Sequence, residues 1–405
     1  SVYCHQAKVH IIYIIRKELK KKKLMMPFFR AVCLHNSVII VIFARINRYN
    51  MSEKIRIKDI AERAGVSVGT VDRVLHGRPN VSPSAKAKVD TVLKELDYKA
   101  NVYASALARN RSYRFILLMP EYESEAYWEE IELGAVKAND ARRDFHISLE
   151  IVYFDRFSSE SYVKQCRYCL SARPDGLIIV PMDEETTRAF TDSLHSMDIP
   201  FVLLDSFIPD LKPLAFFGQD SFCSGYFAAK MLMLIAREEK EVMLMRLLKD
   251  GRAVSRQQEN RAVGFMSYMQ KRFPNVRVSY LDLPIEHRDD HELYTAMIDS
   301  FFALHPDIHH CITFNSKAYI VADYLLATHR KDVQIMGYDM VNRNAMCLRE
   351  GTISFLIAQH AFMQGSLCVE TLFQSVVLHK EVTTVNYMPI ELITRENMDF
   401  YQRSL

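Results

Sequence analysis

The sequence predicts a small all-α helix-turn-helix head joined to a larger α/β body of two doubly wound parallel-sheet sub-domains. Three observations carry that expectation. Two short amphipathic stretches flank a glycine between Ile57 and Leu75. From Tyr113 onward, short continuous apolar runs alternate with longer segments of helical pattern. The 405 residues suffice for two or three domains, and a hydrophobic content of 49% can fill more than one core.

Residues 1–50 form an extension of odd composition. The basic run Lys20–Lys23 sits among apolar pieces such as Val38–Phe43. That piece is far shorter than the roughly 20 residues a membrane-spanning helix needs. A cleavage site of small residues, which a signal peptide needs, is missing. Met51 stands just before the head, so the expectation is that Met51 is the native start and that 1–50 is non-native or disordered. A membrane-associated arm is the competing reading.

The head is assigned to 51–100. Ile57, Ile60, Ala61 and Ala64 recur at helical spacing, Gly65 suits a turn with positive φ, and Ser67 can cap the next helix. Val71, Val74 and Leu75 resume the apolar stripe. A second helix so placed normally enters the DNA major groove; a plain helical hairpin is the alternative. His76–Val81 reads as a loop. Ser82 caps a third helix with Pro83 at its first position and Val89, Val92, Leu93 and Leu96 as its stripe. Charge is local. Residues 51–110 hold eleven Lys or Arg against seven Asp or Glu, while the whole chain carries only +3. The candidate DNA-contacting residues are Ser67, Val68, Gly69, Thr70, Arg73, His76 and Asn80. Small residues at 68 and 69 allow close approach to bases, and the polar ones reach phosphates or base edges. Asp72 would repel phosphate unless it faces away or accepts from a cytosine amine.

Segment 101–112 reads as a hinge. Asn101 can cap a helix over Val102–Ala108, too short to persist alone in water, so DNA or a partner chain is expected to order it.

The run Arg56–Pro120 resembles the head and hinge of the lactose-repressor (LacI) family of bacterial transcription factors. The matching pieces are I-K-D-I-A-E-R-A-G-V-S, T-V-x-R-V-L, the N-V-S loop, L-D-Y-K-A-N and A-S-A-L-A. The resemblance implies operator DNA as partner, with Asn101, Ala106 and Leu107 added to the contact set. It makes Leu107 the residue that wedges between bases in the minor groove. Asp72 stands where the family usually carries Ser.

The body is assigned to 113–405, as a two-lobed ligand-binding and dimerisation domain. Phe115–Met119, Ile151–Phe154, Leu177–Val180, Phe201–Leu204, Val242–Met245 and Cys311–Phe314 are among its apolar runs. Such runs suit parallel strands covered on both faces. Ligands bind beyond the carboxyl ends of these strands, where Glu121, Tyr122, Asp155, Met182, Asp205, Gln219, Asp220, Asn315, Asp339 and Gln359 lie. More weakly, the body is similar to the periplasmic-binding-protein type effector domain of the same family. Arg261–Gly264 matches its R-x-x-G, Gly337-Tyr338-Asp339 its G-Y/F-D, Asn315 its ligand-contacting N/D, and Gln359 the glutamine of the crossover. Arg offers a rigid fork of donors and Asp accepts from hydroxyls. Tyr122, Trp128 and Asp205 complete the candidate ligand set, with Tyr127 as a further wall. Plainer readings stand beside these: a surface Arg261, helix-capping Asp339 and Asp205, a core Trp128, and a Gln359 that only joins lobes.

Eight scattered cysteines read as reduced thiols of a cytoplasmic protein, and the lone Cys166-x-x-Cys169 as helix packing rather than zinc. No cofactor or metal is called for. No phosphate-cradling glycine loop, nucleophile elbow or metal cluster argues for an enzyme. The expectation is a homodimeric regulator switched by a small effector, a sugar or sugar derivative, and not bound to membrane. A purine-like co-repressor is the alternative effector. A solute-binding transport protein is the alternative class, though a secretion signal should then replace the head.

Overall fold

In a computed structural model of the chain, residues 56–75, 78–96, 98, 102–122, 127–253, 255–288 and 290–402 are described. The extension 1–50, Met51, His76 and Asn101 lie outside the described residues. The chain forms two compact units that divide between Asn101 and Val102, and each is taken by itself.

The first unit contains α1 (Ile57–Ala64), α2 (Val68–Leu75) and α3 (Pro83–Glu95). Their stripes meet in one core of Ile60, Ala61, Ala64, Val71, Val89 and Val92. Gly65 ends α1 at φ 65°, a left-handed conformation that costs glycine little. Ser67 Oγ accepts from the Thr70 N–H at 3.1 Å, and Ser82 Oγ from the Ala85 N–H at 3.2 Å, so both following helices start on side-chain caps.

The second unit begins with α4 (Val102–Ala108) and contains two lobes. Lobe 1 is a wholly parallel sheet in the order β12-β5-β4-β3-β1-β2. Its strands are β1 (Tyr113–Pro120), β2 (Ile147–Phe154), β3 (Gly176–Ile179), β4 (Phe201–Leu204), β5 (Ala215–Gly218) and β12 (Val385–Tyr387). The intervening helices are α5 (Tyr127–Asp140), α6 (Ser159–Ala172) and α7 (Glu184–Ser196). Cys166 and Cys169 of α6 pack in a core under this sheet.

Lobe 2 has a parallel centre with antiparallel additions. Its strands are β6 (Glu241–Lys249), β7 (Arg252–Ala253), β8 (Arg277–Pro284), β9 (His310–Thr313), β10 (Gln334–Tyr338), β11 (Ile353–Ala358) and β13 (Glu391–Ile393). β7 and β13 run antiparallel to their neighbours. These two strands and β12 are two or three residues long, too short to leave a pattern in sequence. The helices here are α8 (Ser221–Ile235), α9 (Arg256–Arg272), α10 (His291–Leu304), α11 (Tyr319–Ala327) and α12 (Asn342–Glu350).

The chain passes between lobes three times: at Gln219-Asp220 after β5, at Gln359-His360 before α13 (Ala361–Leu372), and at 388–390 between β12 and β13. Gln219 ties the passages together. Its Nε2 donates to the carbonyls of Ala358 and Pro389, each at 2.8 Å. Its Oε1 accepts from Ser224 Oγ at 3.0 Å, and Ser224 meets the Tyr338 hydroxyl at 3.0 Å.

Each lobe holds one very close helix pair. In lobe 1 a Cβ on Gly134 of α5 would lie 2.0 Å from the Phe362 carbonyl oxygen, and one on Gly365 of α13 1.9 Å from that of Ile131. In lobe 2 a Cβ on Gly225 of α8 would lie 1.9 Å from the Arg261 carbonyl oxygen, and one on Gly264 of α9 2.0 Å from that of Phe222. The glycine of the R-x-x-G motif therefore serves packing, and that packing sets the height of Arg261.

Candidate recognition helix and interlobe cleft

On the head, α2 presents a small exposed surface. Ser67, Val68, Gly69 and Arg73 are exposed, with Val68 at 49%, and Thr70 is half-buried with its hydroxyl 2.9 Å from Ser67 Oγ. Asn80 is exposed at φ 68° in the following loop. Asp72 is held by Arg78, Nη1 to Oδ2 at 3.1 Å, which answers its acidity within the head.

The α4 segment forms the expected helix, and the body supplies part of its packing. Ala106 is buried with Tyr113 and Phe373, and the Tyr103 ring meets those of Phe145 and Phe373 at 6.1 and 6.2 Å. The reading of Ala106 as a DNA contact does not suit this arrangement, since its methyl faces the body. Leu107, by contrast, is 47% exposed.

Between the lobes lies a cavity of about 580 Å³. All seven candidate ligand residues, Tyr122, Trp128, Asp205, Arg261, Asn315, Asp339 and Gln359, line it. The parallel strands of both lobes point their carboxyl ends at it, which is why strand-end residues collect there. Met182, Gln219 and Asp220 do not line it. Met182 packs beneath lobe 1, Gln219 binds the passages, and Asp220 accepts from the Cys223 N–H at 2.8 Å as a helix cap.

The floor is one bonded chain. Arg261 is 2% exposed, so the surface-helix reading of it fails. Its Nη1 donates to the Phe314 carbonyl at 2.8 Å, its Nη2 donates to Gln359 Oε1, and its guanidinium carbon lies 4.1 Å from the centre of the Tyr338 ring. Its Nε is buried without a hydrogen-bond partner. Gln359 Nε2 donates to both Asp339 oxygens, at 3.0 and 2.9 Å. Burial pushes the Asp339 carboxyl up to about 7, against the pull of Arg261 and Gln359. Asp339 sits at φ 64° and Asp205 at φ 72°, left-handed positions that Asp tolerates better than most residues.

Asp205 faces the floor from lobe 1. Tyr127 donates its hydroxyl to Asp205 Oδ1 at 2.8 Å and receives Gln364 Nε2 at 3.0 Å. Burial also raises the Asp205 carboxyl, opposed by the Tyr127 bond. The walls are aromatic. Trp128 packs on the lobe 1 core and lines the cavity at once, edge-on to Tyr127 at 5.0 Å, so both readings of it hold. The Tyr122 hydroxyl donates to Glu132 at 2.9 Å. Asn315 turns its Oδ1 to the Lys317 N–H at 2.9 Å, leaving its Nδ2 in a long contact with Gln258 at 3.4 Å.

Among the described residues, bonds from Gln257, Arg256 and Lys249 cross the cleft and hold the lobes together. Gln257 Nε2 donates to the Asp205 carbonyl at 2.6 Å, Arg256 meets Glu184 at 2.5 Å, and Lys249 Nζ donates to the Phe157 carbonyl at 2.6 Å. Gln257, Arg156, Arg288, Lys317 and Arg343 also line the cavity, and sequence reasoning missed all five. Arg156 was one residue from recognition, directly after the strand-end Asp155. Arg288 follows no apolar run, so nothing in the pattern marked it.

Residues 115–380 match the periplasmic binding protein domain, and residues 56–101 match the bacterial regulatory proteins of the lacI family. The chain is 25% identical to the HTH-type transcriptional regulator DegA of Bacillus subtilis (strain 168) over 219 residues, 54% of this chain and 61% of that protein. It is 36% identical to catabolite control protein A of Staphylococcus xylosus over 80 residues, 20% of this chain and 24% of that protein. These matches thus span less than two thirds of the curated relatives. Among solved structures, a protein from Bacteroides fragilis described as a LacI transcriptional regulator is 41% identical, with 72% of this chain and 100% of that chain covered and a TM-score of 0.69. A carbohydrate transporter solute binding protein from Agrobacterium radiobacter, in complex with D-arabinose, is 18% identical, covers 73% and 98%, and has a TM-score of 0.62, which bears on fold alone.

Proposed function

The chain belongs to the LacI family of bacterial regulatory proteins, with a periplasmic-binding-protein domain behind its head, and from that premise we propose that it is a cytoplasmic transcriptional regulator. It binds operator DNA through α2, and a small sugar-like effector in the interlobe cleft switches that binding. The observation that carries this reading is the cleft itself. Buried carboxylates, a buried arginine fork and aromatic walls converge there, the donor and acceptor set of a polyol site. Among the described residues no group in it is arranged as nucleophile and base, and we read it as a binding site.

Ser67, Val68, Gly69, Thr70 and Arg73 are the proposed groove contacts, Asn80 a phosphate contact, and Leu107 the minor-groove wedge. A homodimer follows from this reading, since such heads address half-sites related by two-fold symmetry. Effector acts by binding one lobe arrangement better than the other. No helix among the described residues is long and apolar enough to cross a membrane.

The test is a gel shift with genomic fragments selected by the full chain. Leu107→Ala should weaken operator binding while leaving effector-induced thermal stabilisation intact. Unchanged operator affinity would sink the wedge role. Arg261→Ala should do the reverse, losing the effector response while DNA binding survives. Stabilisation by purines with every sugar silent would replace the sugar reading with a purine co-repressor.

A further inference from the structure

One residue of lobe 1 packs into lobe 2. Phe157 lies in the short loop between β2 and α6. Its side chain packs against the lobe 2 core that holds Leu247, Leu283 and Ile285. The loop fixes it firmly to its own lobe. The Phe157 N–H donates to Asp155 Oδ1 at 2.8 Å, and the Asp155 N–H donates to Ser161 Oγ at 3.0 Å. Ser158 Oγ accepts from the Ser161 N–H at 3.1 Å and caps α6. Phe157 therefore moves with lobe 1 while its ring sits on lobe 2.

Lobe 2 answers with Lys249, the last residue of β6. Its Nζ donates to the Phe157 carbonyl at 2.6 Å and lies 5.2 Å from the centre of the Phe157 ring. One ammonium thus makes a charge-assisted hydrogen bond and a cation–π contact with the same residue. Soon after Lys249 along the chain, the first two residues of α9 also reach lobe 1, Arg256 to Glu184 and Gln257 to the Asp205 carbonyl. Parting the lobes would return the Phe157 ring to water and break these bonds, of which that of Gln257 is buried.

We propose that Phe157 and Lys249 form a latch that holds the lobes together, and that its strength sets the effector concentration at which the cleft switches, the latter resting on the reading of the cleft as an effector site. A ligand that needs both lobes binds only the closed fraction of molecules, so its apparent dissociation constant rises as that fraction falls. Protein contacts that favour closure thereby raise effector affinity without touching the effector. Lys249 fits that role, because it does not line the cavity, whereas Phe157 does.

The chain carries its own reporter of opening. Trp128 is its single tryptophan, half-buried on the cavity wall. Acrylamide quenching of its fluorescence is measured on the full chain. Phe157→Ala and Lys249→Met should each raise the quenching constant and shift the emission to the red. Phe157→Leu, which keeps an apolar plug, should stay near the unaltered chain. Should Phe157→Ala fail to fold by circular dichroism, Lys249→Met decides alone. D-arabinose and D-glucose serve as probe ligands. A sugar that binds should lower the quenching again in the variants, and should bind them roughly three- to tenfold more weakly than the unaltered chain. Unchanged quenching in Lys249→Met overturns the latch. Raised quenching with equal sugar affinity in every form overturns its control of the effector threshold. Raised quenching with both sugars silent supports the latch and counts against the sugar reading of the cleft.

Discussion

The two lobes solve one problem in parallel ways and then diverge. Each is a parallel sheet with a glycine-paired helix crossing, Gly134 with Gly365 in lobe 1 and Gly225 with Gly264 in lobe 2. Each ends a strand on a left-handed aspartate aimed at the cleft, Asp205 after β4 and Asp339 after β10. They differ in what surrounds those aspartates. Lobe 1 answers its carboxylate with a tyrosine hydroxyl and walls the cavity with Tyr122, Tyr127 and Trp128. Lobe 2 answers with the crossover amide Gln359 and backs it with Arg261, Lys317 and Arg343. Lobe 1 is the apolar, acidic half and lobe 2 the cationic, amide-rich half. On the proposed reading, a cleft assembled from two such halves would hold its ligand fully only when both touch it, so closure would depend on occupancy.

The largest test concerns the shared scaffold. Gly225→Ala drives a methyl into the Arg261 carbonyl, and Gly134→Ala does the same at Phe362. Each should cost about 3 kcal/mol by overpacking, read as a drop in thermal midpoint. The Gly225 variant should also displace Arg261 and lose effector response, while the Gly134 variant should not. Equal loss of response in both would break the distinction between the lobes.

A smaller effect should separate the aspartates. Asp339→Asn and Asp205→Asn each remove an acceptor for ligand hydroxyls, and effector affinity should fall by about 2 kcal/mol, roughly thirtyfold. If only Asp339→Asn lowers affinity in a direct titration, Asp205 acts as a strand-end cap and the symmetry is structural alone.

The smallest effect is one of pH. Asp339 is raised from 3.8 to about 7 in the folded chain, so between those values the folded state binds more proton than the unfolded one. The associated stability is present below about pH 4 and is lost as pH rises through 7. The unliganded chain should melt at lower temperature at pH 7.5 than at pH 5.5, and Asp339→Asn should flatten that slope. An unaltered slope would mean that other groups carry it. Glu150 and Glu184, whose carboxyls are lowered by their hydrogen bonds to Tyr168 and to Arg188 and Arg256, contribute in the opposite sense at more acid pH.

Local chemistry made much of this readable in advance. The caps Ser67 and Ser82, the turn at Gly65 and the stripes of the head are short-range patterns, and they form as spacing predicts. Continuous apolar runs identified the parallel strands, and the strand-end rule led to Asp205, Asn315 and Asp339. The three short strands escaped because their pairing partners, not their own residues, define them. The packing partners of α4, Phe145 and Phe373, escaped for the same reason, since they lie far along the chain.

The sequence by itself thus determined the local elements, the fold class and the chemical types at strand ends, because propensity, capping and periodicity act over a few residues. Only the tertiary structure decided that Arg261 is buried and bonded to Gln359, that Gln219 joins three passages, and that Arg156 and Arg288 line one cavity. Those pairs are separated by 98, up to 170, and 132 residues respectively. Burial and charge at such distances depend on which surfaces the folded lobes bring together, and no window of sequence contains that information.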